Sequence, residues 1–252
     1  TDLGTRACQA EMLLDFLREH DADTIYLVGD VVDFWRIRRG AVWLQSHNDV
    51  IQKILRKVRK GTRIIYIPGN HDEGIRDYCG QKFGGIEIER QAIFETGAGK
   101  KYLIIHGDEF DVVVRYAKWL AFLGDRGYTL ALWFNWPLNF IRRQFGLGYW
   151  SLSGYLKHRV KSAVNFIGDF EKSLSAEAGR QGVDGVICGH IHHAASRQFD
   201  TVHYLNTGDW VESCTAIGEN PDGTFEMIRW LDVVRARERS EAAPQPVALK
   251  AA

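Results

Sequence analysis

The sequence has no excess of charge: 32 lysines and arginines stand against 32 aspartates and glutamates over 252 residues. A balanced chain exerts no global pull toward nucleic acid or a membrane, although a local patch stays open. Cysteine is scarce. Cys8, Cys79, Cys188 and Cys214 lie far apart with no Cys-x-x-Cys pair, which excludes a disulfide scaffold and fits a reducing compartment. No apolar run approaches the roughly 20 residues of a membrane-spanning helix, and no basic-then-apolar segment opens the chain. What is present is ordinary globular composition, 45% hydrophobic and 25% charged. Its length suits one large domain or two small ones and is ample for a buried core.

Hydrophobic spacing then places the elements. Met12, Leu13, Phe16 and Leu17 form one stripe, so residues 9–20 read as an amphipathic helix; Val50, Ile51, Ile54, Leu55 and Val58 do the same for 47–60. Short β-branched runs at 24–28, 63–67, 102–105, 185–188 and 203–205 read as strands, the first two buried on both faces. Strands separated by helices indicate a layered α/β fold. Residues 110–180 break the alternation with a long helical stretch rich in aromatics and cations, read as an insertion over the core formed by 1–109 and 181–234. Residues 235–252 are expected to be a poorly ordered tail.

Each strand ends in a polar cluster: Gly29-Asp30-Val31-Val32-Asp33, Gly69-Asn70-His71-Asp72-Glu73, His106-Gly107-Asp108, Gly189-His190-Ile191-His192 and Thr207-Gly208-Asp209-Trp210. Ligands of α/β sheets bind beyond the carboxyl ends of the strands, so the clusters should share one rim. Their inventory suits a pair of divalent metals. A carboxylate such as Asp30 can bridge two ions, Asn70 can offer its amide oxygen, and His106, His190 and His192 can offer ring nitrogens. His20, His47, His158 and His203, outside these clusters, read as structural histidines.

Four of these motifs, in this order, resemble the calcineurin-like metallophosphoesterase superfamily. The resemblance implies a four-layer α/β/β/α sandwich with a dinuclear centre at the strand ends. It implies that Asp30 bridges the metals, that Asn70, His106 and His190 complete one site, and that His192 belongs to the other. His71 would be the unligated catalytic residue, and Asp72 and Asp108 would orient histidine rings. The superfamily opens with a strand and Asp-x-His before Leu-Gly, whereas this sequence reads Thr1-Asp2-Leu3-Gly4. Asp2 is therefore a metal-ligand candidate, either as the motif aspartate with neighbours lost or in place of the histidine; missing upstream residues are the third reading. Two divalent ions are expected, Mn²⁺ first, with Fe²⁺ and Zn²⁺ equally suited to the donors.

Gly29-Asp30-Val31-Val32-Asp33-Phe34-Trp35, Gly208-Asp209-Trp210 and the helical insertion are similar to the UDP-2,3-diacylglucosamine diphosphatases. That likeness implies hydrolysis of a phosphoanhydride in an acylated UDP-sugar, giving lipid X and UMP through a metal-activated hydroxide. It also implies a cytoplasmic enzyme, peripheral at the inner-membrane surface, with the insertion as a hydrophobic lid. His71 stands where the best-known branch carries Arg. Arg76, Arg142, Arg143, Trp150, Tyr155, Lys157, Arg159 and Lys161 are the substrate-contact candidates, because aromatics edged by cations suit lipid headgroups and chains. The same mixture suits base stacking, yet no nucleic-acid partner is expected. The alternatives are a phosphodiesterase or phosphatase acting on soluble nucleotides or another nucleotide diphosphate, and a non-catalytic lipid- or nucleotide-binding relative with an incomplete metal site.

Overall fold

The structure is a computed structural model that describes residues 1–40, 42–110, 142, 144–145 and 167–242. The chain divides into two compact units. One is Thr1–Asp108 with Ala178–Ala252, and the other is Glu109–Glu177.

Helix α1 (Ala10–Glu19) buries Ala10, Leu13, Leu14 and Leu17, the i, i+3, i+4, i+7 stripe of an amphipathic helix. Helix α2 (Phe34–Ile37) is one turn, started by the Asp33 carboxylate accepting the Arg36 N–H at 2.8 Å. Helix α3 (Gln45–Arg59) buries His47, Val50, Ile54 and Lys57 and carries Arg56, Lys57 and Arg59 in its last turn, where cations complement the helix dipole. Helix α4 (Trp230–Ala242) corrects the expectation of a poorly ordered tail from residue 235. Trp230 is buried, Leu231, Val233 and Val234 pack on the core, and Arg237 pairs with Glu19 of α1. Its charged carboxyl-terminal half hid the helix from a hydrophobicity reading. Residues 243–252 lie outside the described residues.

One sheet has the order β1 (Thr24–Val28), β2 (Arg63–Ile67), β4 (Ile86–Ile88), β3 (Lys82–Phe83), with β1, β2 and β4 parallel. A second has the order β5 (Ala92–Glu95), β6 (Lys101–Ile104), β7 (Gly185–Cys188), β9 (Val202–Asn206), β8 (Ala195–Phe199). Its central β6, β7 and β9 are parallel, and its edges are antiparallel. Strands β10 (Thr215–Glu219) and β11 (Phe225–Arg229) form a separate hairpin. One core joins α1 and α3 to the first sheet through Leu13, Leu17, Val50, Ile54 and Ile64. Another lies between the sheets, with Ile65, Ile67, Tyr102, Ile104, Ile187 and Leu205. The architecture is the expected α/β sandwich.

The two strands expected to be buried on both faces differ. Strand β2 is buried at Ile64, Ile65 and Ile67, whereas all five residues of β1 are only half-buried. The reason is a cavity of about 770 Å³ running beside β1 and β10.

Candidate metal centre

The parallel strands deliver their polar clusters to one end of the sandwich. Asp30 follows β1, Asn70 follows β2, His106 follows β6, and His190 follows β7. One ligand atom each from Asp30, His106 and His190 lies within 4.8 Å of the other two, and all three residues are buried. The His106 Nε2 atom is 3.4 Å from an Asp30 carboxylate oxygen and 3.4 Å from the Asn70 amide oxygen. The second Asp30 oxygen accepts the His71 backbone N–H at 2.9 Å.

Two glycines make this convergence sterically possible. A Cβ on Gly29 would stand 1.9 Å from His106 Nδ1, and one on Gly69 would stand 2.5 Å from both Asp30 Oδ1 and His106 Nε2. The backbone is also held in a rarely used conformation. Among the described residues, six that are not glycine have positive φ, and four of them are Asp2, Asp30, His190 and His192. Such strain concentrates at functional sites, because only a surrounding fold that over-determines it can hold it.

Electrostatics fit a cation. Burial opposes ionisation of Asp30, yet the His106 hydrogen bond and the His106 and His71 rings outweigh it and hold the carboxyl far below the usual carboxylate range. Burial likewise opposes a charged His106 ring, and the Asp30 hydrogen bond with the carboxylates of Asp30, Asp108 and Asp72 raises its pKa nonetheless. Both shifts favour an ionised Asp30 beside a charged His106 ring, and a cation held by these residues would take the place of the ring proton. The donor set of carboxylate, imidazoles and amide is one that divalent transition metals accept.

A second group lies beside the first. Asp2, Asp33 and His71 also bring ligand atoms within 4.8 Å of one another. His71 Nδ1 is 3.1 Å from Asp33 Oδ2 and 3.9 Å from Asp2 Oδ1. Asp2 is 5% exposed, and among the described residues its Oδ1 has no hydrogen-bond partner. The ring of Trp35 stacks on His71 with centroids 4.5 Å apart at 24°. His192, expected at the second metal, belongs to neither group and pairs with Asp209 at 3.4 Å. The Asp209 carboxylate in turn accepts the N–H groups of Val211, Glu212 and Ser213. Burial opposes its ionisation, but the His192 bond and these three donors hold it well below the usual range.

Some roles differ from those read in sequence. Asp72, expected to orient a histidine, is fully buried and accepts from Val31 N–H, Gly69 N–H and the Tyr66 hydroxyl. It ties the loops after β1 and β2 together, and the proximity that decides this is not visible along the chain. Asp108 pairs with Arg76 at 2.6 Å, so that guanidinium is engaged within the protein. Sequence reasoning missed the Asp209 partnership and the Trp35 stack, although both residues stand in strand-end motifs that it had marked. His47 accepts the Gly4 N–H, His20 bonds the Phe16 carbonyl, and His203 lies between Tyr102 and Ser196. Arg142 belongs to the second unit. Arg143, Trp150, Tyr155, Lys157, Arg159, Lys161 and His158 lie outside the described residues.

A layered α/β sandwich gathering imidazoles and carboxylates at its strand ends is the architecture of a metal-dependent phosphoesterase, and the sequence profile described as calcineurin-like phosphoesterase matches residues 1–194. The chain belongs to that family, whose members use divalent metals for hydrolysis. Among named relatives, the UDP-2,3-diacylglucosamine hydrolase of Neisseria meningitidis serogroup B is 27% identical, over 79% of this chain and 82% of that protein. The enzyme of the same name from Photorhabdus laumondii is 25% identical, over 78% and 82% respectively. The one from Porphyromonas gingivalis is 30% identical but aligned over only 36% of this chain and 34% of its own length.

Proposed function

We propose that the protein hydrolyses the phosphoanhydride of an acylated UDP-sugar of the UDP-2,3-diacylglucosamine type, releasing UMP and lipid X. The observation that carries the hydrolytic part is the convergence of Asp30, His106 and His190 beside Asn70 at the strand ends. The substrate part is supported by the names of the relatives above and by the aromatic and basic content of 110–180. Two divalent ions, Mn²⁺ first, are the cofactor in this reading. Asp30, Asn70, His106 and His190 would hold one. Asp2, with Asp33 and His71 around it, and His192 are the candidates near the other.

When bound, such ions polarise phosphoryl oxygens and lower the pKa of coordinated water. The rest falls to the chain. Asp30 sets the spacing of the two groups, because one oxygen faces His106 while the other fixes the His71 backbone. His71, held between Asp33 and the Trp35 ring, is placed to donate to a phosphoryl oxygen as charge builds on it. Asp209 fixes the His192 ring through its Nδ1. A phosphate leaving group demands less acid assistance than an alkoxide, so one such donor suffices.

We place the protein at a membrane surface as a peripheral enzyme, because the acyl chains of such a substrate lie there. No helix among the described residues is long and apolar enough to cross a membrane. The test compares a UDP-linked diacyl sugar with its deacylated analogue, with Mn²⁺ restored after chelation. Metal-dependent release of UMP from the acylated compound alone supports the proposal. Equal turnover of both would favour a hydrolase of soluble nucleotides, and turnover of neither would overturn the catalytic reading.

A further inference from the structure

The buried stripe of α3 carries two polar side chains among its apolar ones, His47 and Lys57 beside Val50 and Ile54. Lys57 has a plain role, pairing with Asp21 and the His20 carbonyl. His47 does not. It is fully buried, with the Trp43 ring packed edge-on against it at 5.3 Å. Its Nδ1 accepts the Gly4 N–H at 3.2 Å. That bond fixes the neutral tautomer with the proton on Nε2, and burial lowers the pKa, so the ring keeps its acceptor near pH 7. Among the described residues Nε2 has no hydrogen-bond partner. A buried donor without a partner is a cost that an apolar side chain would not carry. Packing alone therefore favours leucine at this position, and what histidine adds is the acceptor.

The amide it accepts belongs to the turn that presents Asp2. The Thr5 N–H and hydroxyl both donate to the Asp2 carbonyl, at 3.2 and 2.9 Å. Gly4 is third in that turn with φ +99°, the glycine position of a type II turn. The Asp2 and Leu3 N–H groups go to the carbonyls of Asp30 and Val31, and the Leu3 carbonyl accepts the Asp33 N–H at 2.8 Å. From Asp2 to Thr5, only the Gly4 N–H is taken up by a side chain and not by backbone. Asp2 itself has φ 58°, a conformation that persists only where the surroundings over-determine it.

We propose that His47 is a positioning residue for the second group of ligand atoms. By accepting the Gly4 amide it fixes the turn, and the turn sets where the Asp2 carboxylate stands beside Asp33 and His71. The linkage is short. Gly4 lies two residues from Asp2, and Leu3 between them holds the backbone of Asp33, so two of the three residues share the turn that His47 closes. His47 itself belongs to neither group of ligand atoms. This role rests on the reading of Asp2, Asp33 and His71 as the surroundings of the second ion.

The test uses two substitutions of nearly the same shape in the full chain. Asparagine carries Oδ1 where histidine carries Nδ1, so His47→Asn keeps the acceptor, whereas His47→Leu keeps only the packing. In a Mn²⁺ titration after chelation, His47→Leu should weaken the second ion by about 10-fold or more, with His47→Asn close to the parent. Exchange of the Gly4 amide should quicken only in the leucine variant. A packing role predicts the reverse order, because leucine is the better buried side chain. Two ions bound with equal strength in all three proteins, or equal loss in both variants, would overturn the positioning role. A parent protein that takes up a single ion would instead overturn the reading of the second group, and the role with it. Should a variant fail to fold, the ring ¹⁵N spectrum of the parent decides: a proton on Nε2 with coupling from Nδ1 to the Gly4 amide supports the role, and a proton on Nδ1 overturns it.

Discussion

The two groups of ligand atoms are built differently although they adjoin. Asp30, His106 and His190 each follow a parallel strand of one of the two sheets, and a side chain at position 29 or 69 would collide with Asp30 or His106. Asp2 adjoins the single Leu3–Val32 bridge, Asp33 caps a one-turn helix and His71 lies in a loop, and among the described residues Asp2 Oδ1 has no hydrogen-bond partner. The first group is fixed by strands of the two packed sheets, the second by side-chain contacts and the pairing of Thr1–Leu3. Precision at a site thus follows how many paired backbone segments meet there, more than how many donors are present.

Asp30 touches both groups, so Asp30→Ala should have the largest effect: loss of bound metal measured by elemental analysis, and activity at background. Retention of metal in that variant would break the view that one carboxylate joins the groups. Gly69→Ala tests the rigid group alone. A methyl 2.5 Å from Asp30 Oδ1 and His106 Nε2 should displace them and lower the rate about 10²-fold or more, with the far-ultraviolet spectrum unchanged. His71→Ala tests the softer group, and a rate loss of about 10²-fold with metal content kept is expected. If metal is lost as well, His71 is a ligand and not the donor. Asp209→Asn should weaken metal retention in a chelator titration by about 10-fold.

The smallest effect concerns the scaffold beneath both groups. Burial pushes the Cys8 and Cys214 thiols up to about 11. The unfolded chain ionises near 9 while the folded thiols stay neutral. Their contribution is therefore present in full below pH 9 and is lost as pH rises to about 11. Denaturant titrations should show stability falling across that window by about 2 kcal/mol or less per thiol, and the double Cys→Ala variant should flatten the curve.

Much of this was legible because the informative signals are local. A β-branched run followed at once by Gly-Asp, Gly-Asn-His or Gly-His-Ile-His marks both a strand and what its end carries, and β1, β2 and β7 appear at the residues expected. Edges were harder. Strand β8, Ala195–Phe199, has three exposed central residues, and β10 and β11 are mostly half-buried. Neither has the apolar run that identifies a buried strand. The Asp209 contact with His192 and the bond of Asp72 to Val31 join residues from separate strand ends. Only the packing of the two sheets decides which carboxylate meets which ring.

The left-handed residues of the site carry a warning for anyone engineering this protein. Asp2, Asp30, His190 and His192 hold φ between 48° and 67°, where a side chain costs about 1–3 kcal/mol. A thermostabilisation screen scored on backbone preference would rank glycine at these four positions among its best substitutions. The sturdier proteins it returned would be those from which candidate metal-holding side chains had been removed, so these positions belong on the fixed list before any such library is drawn.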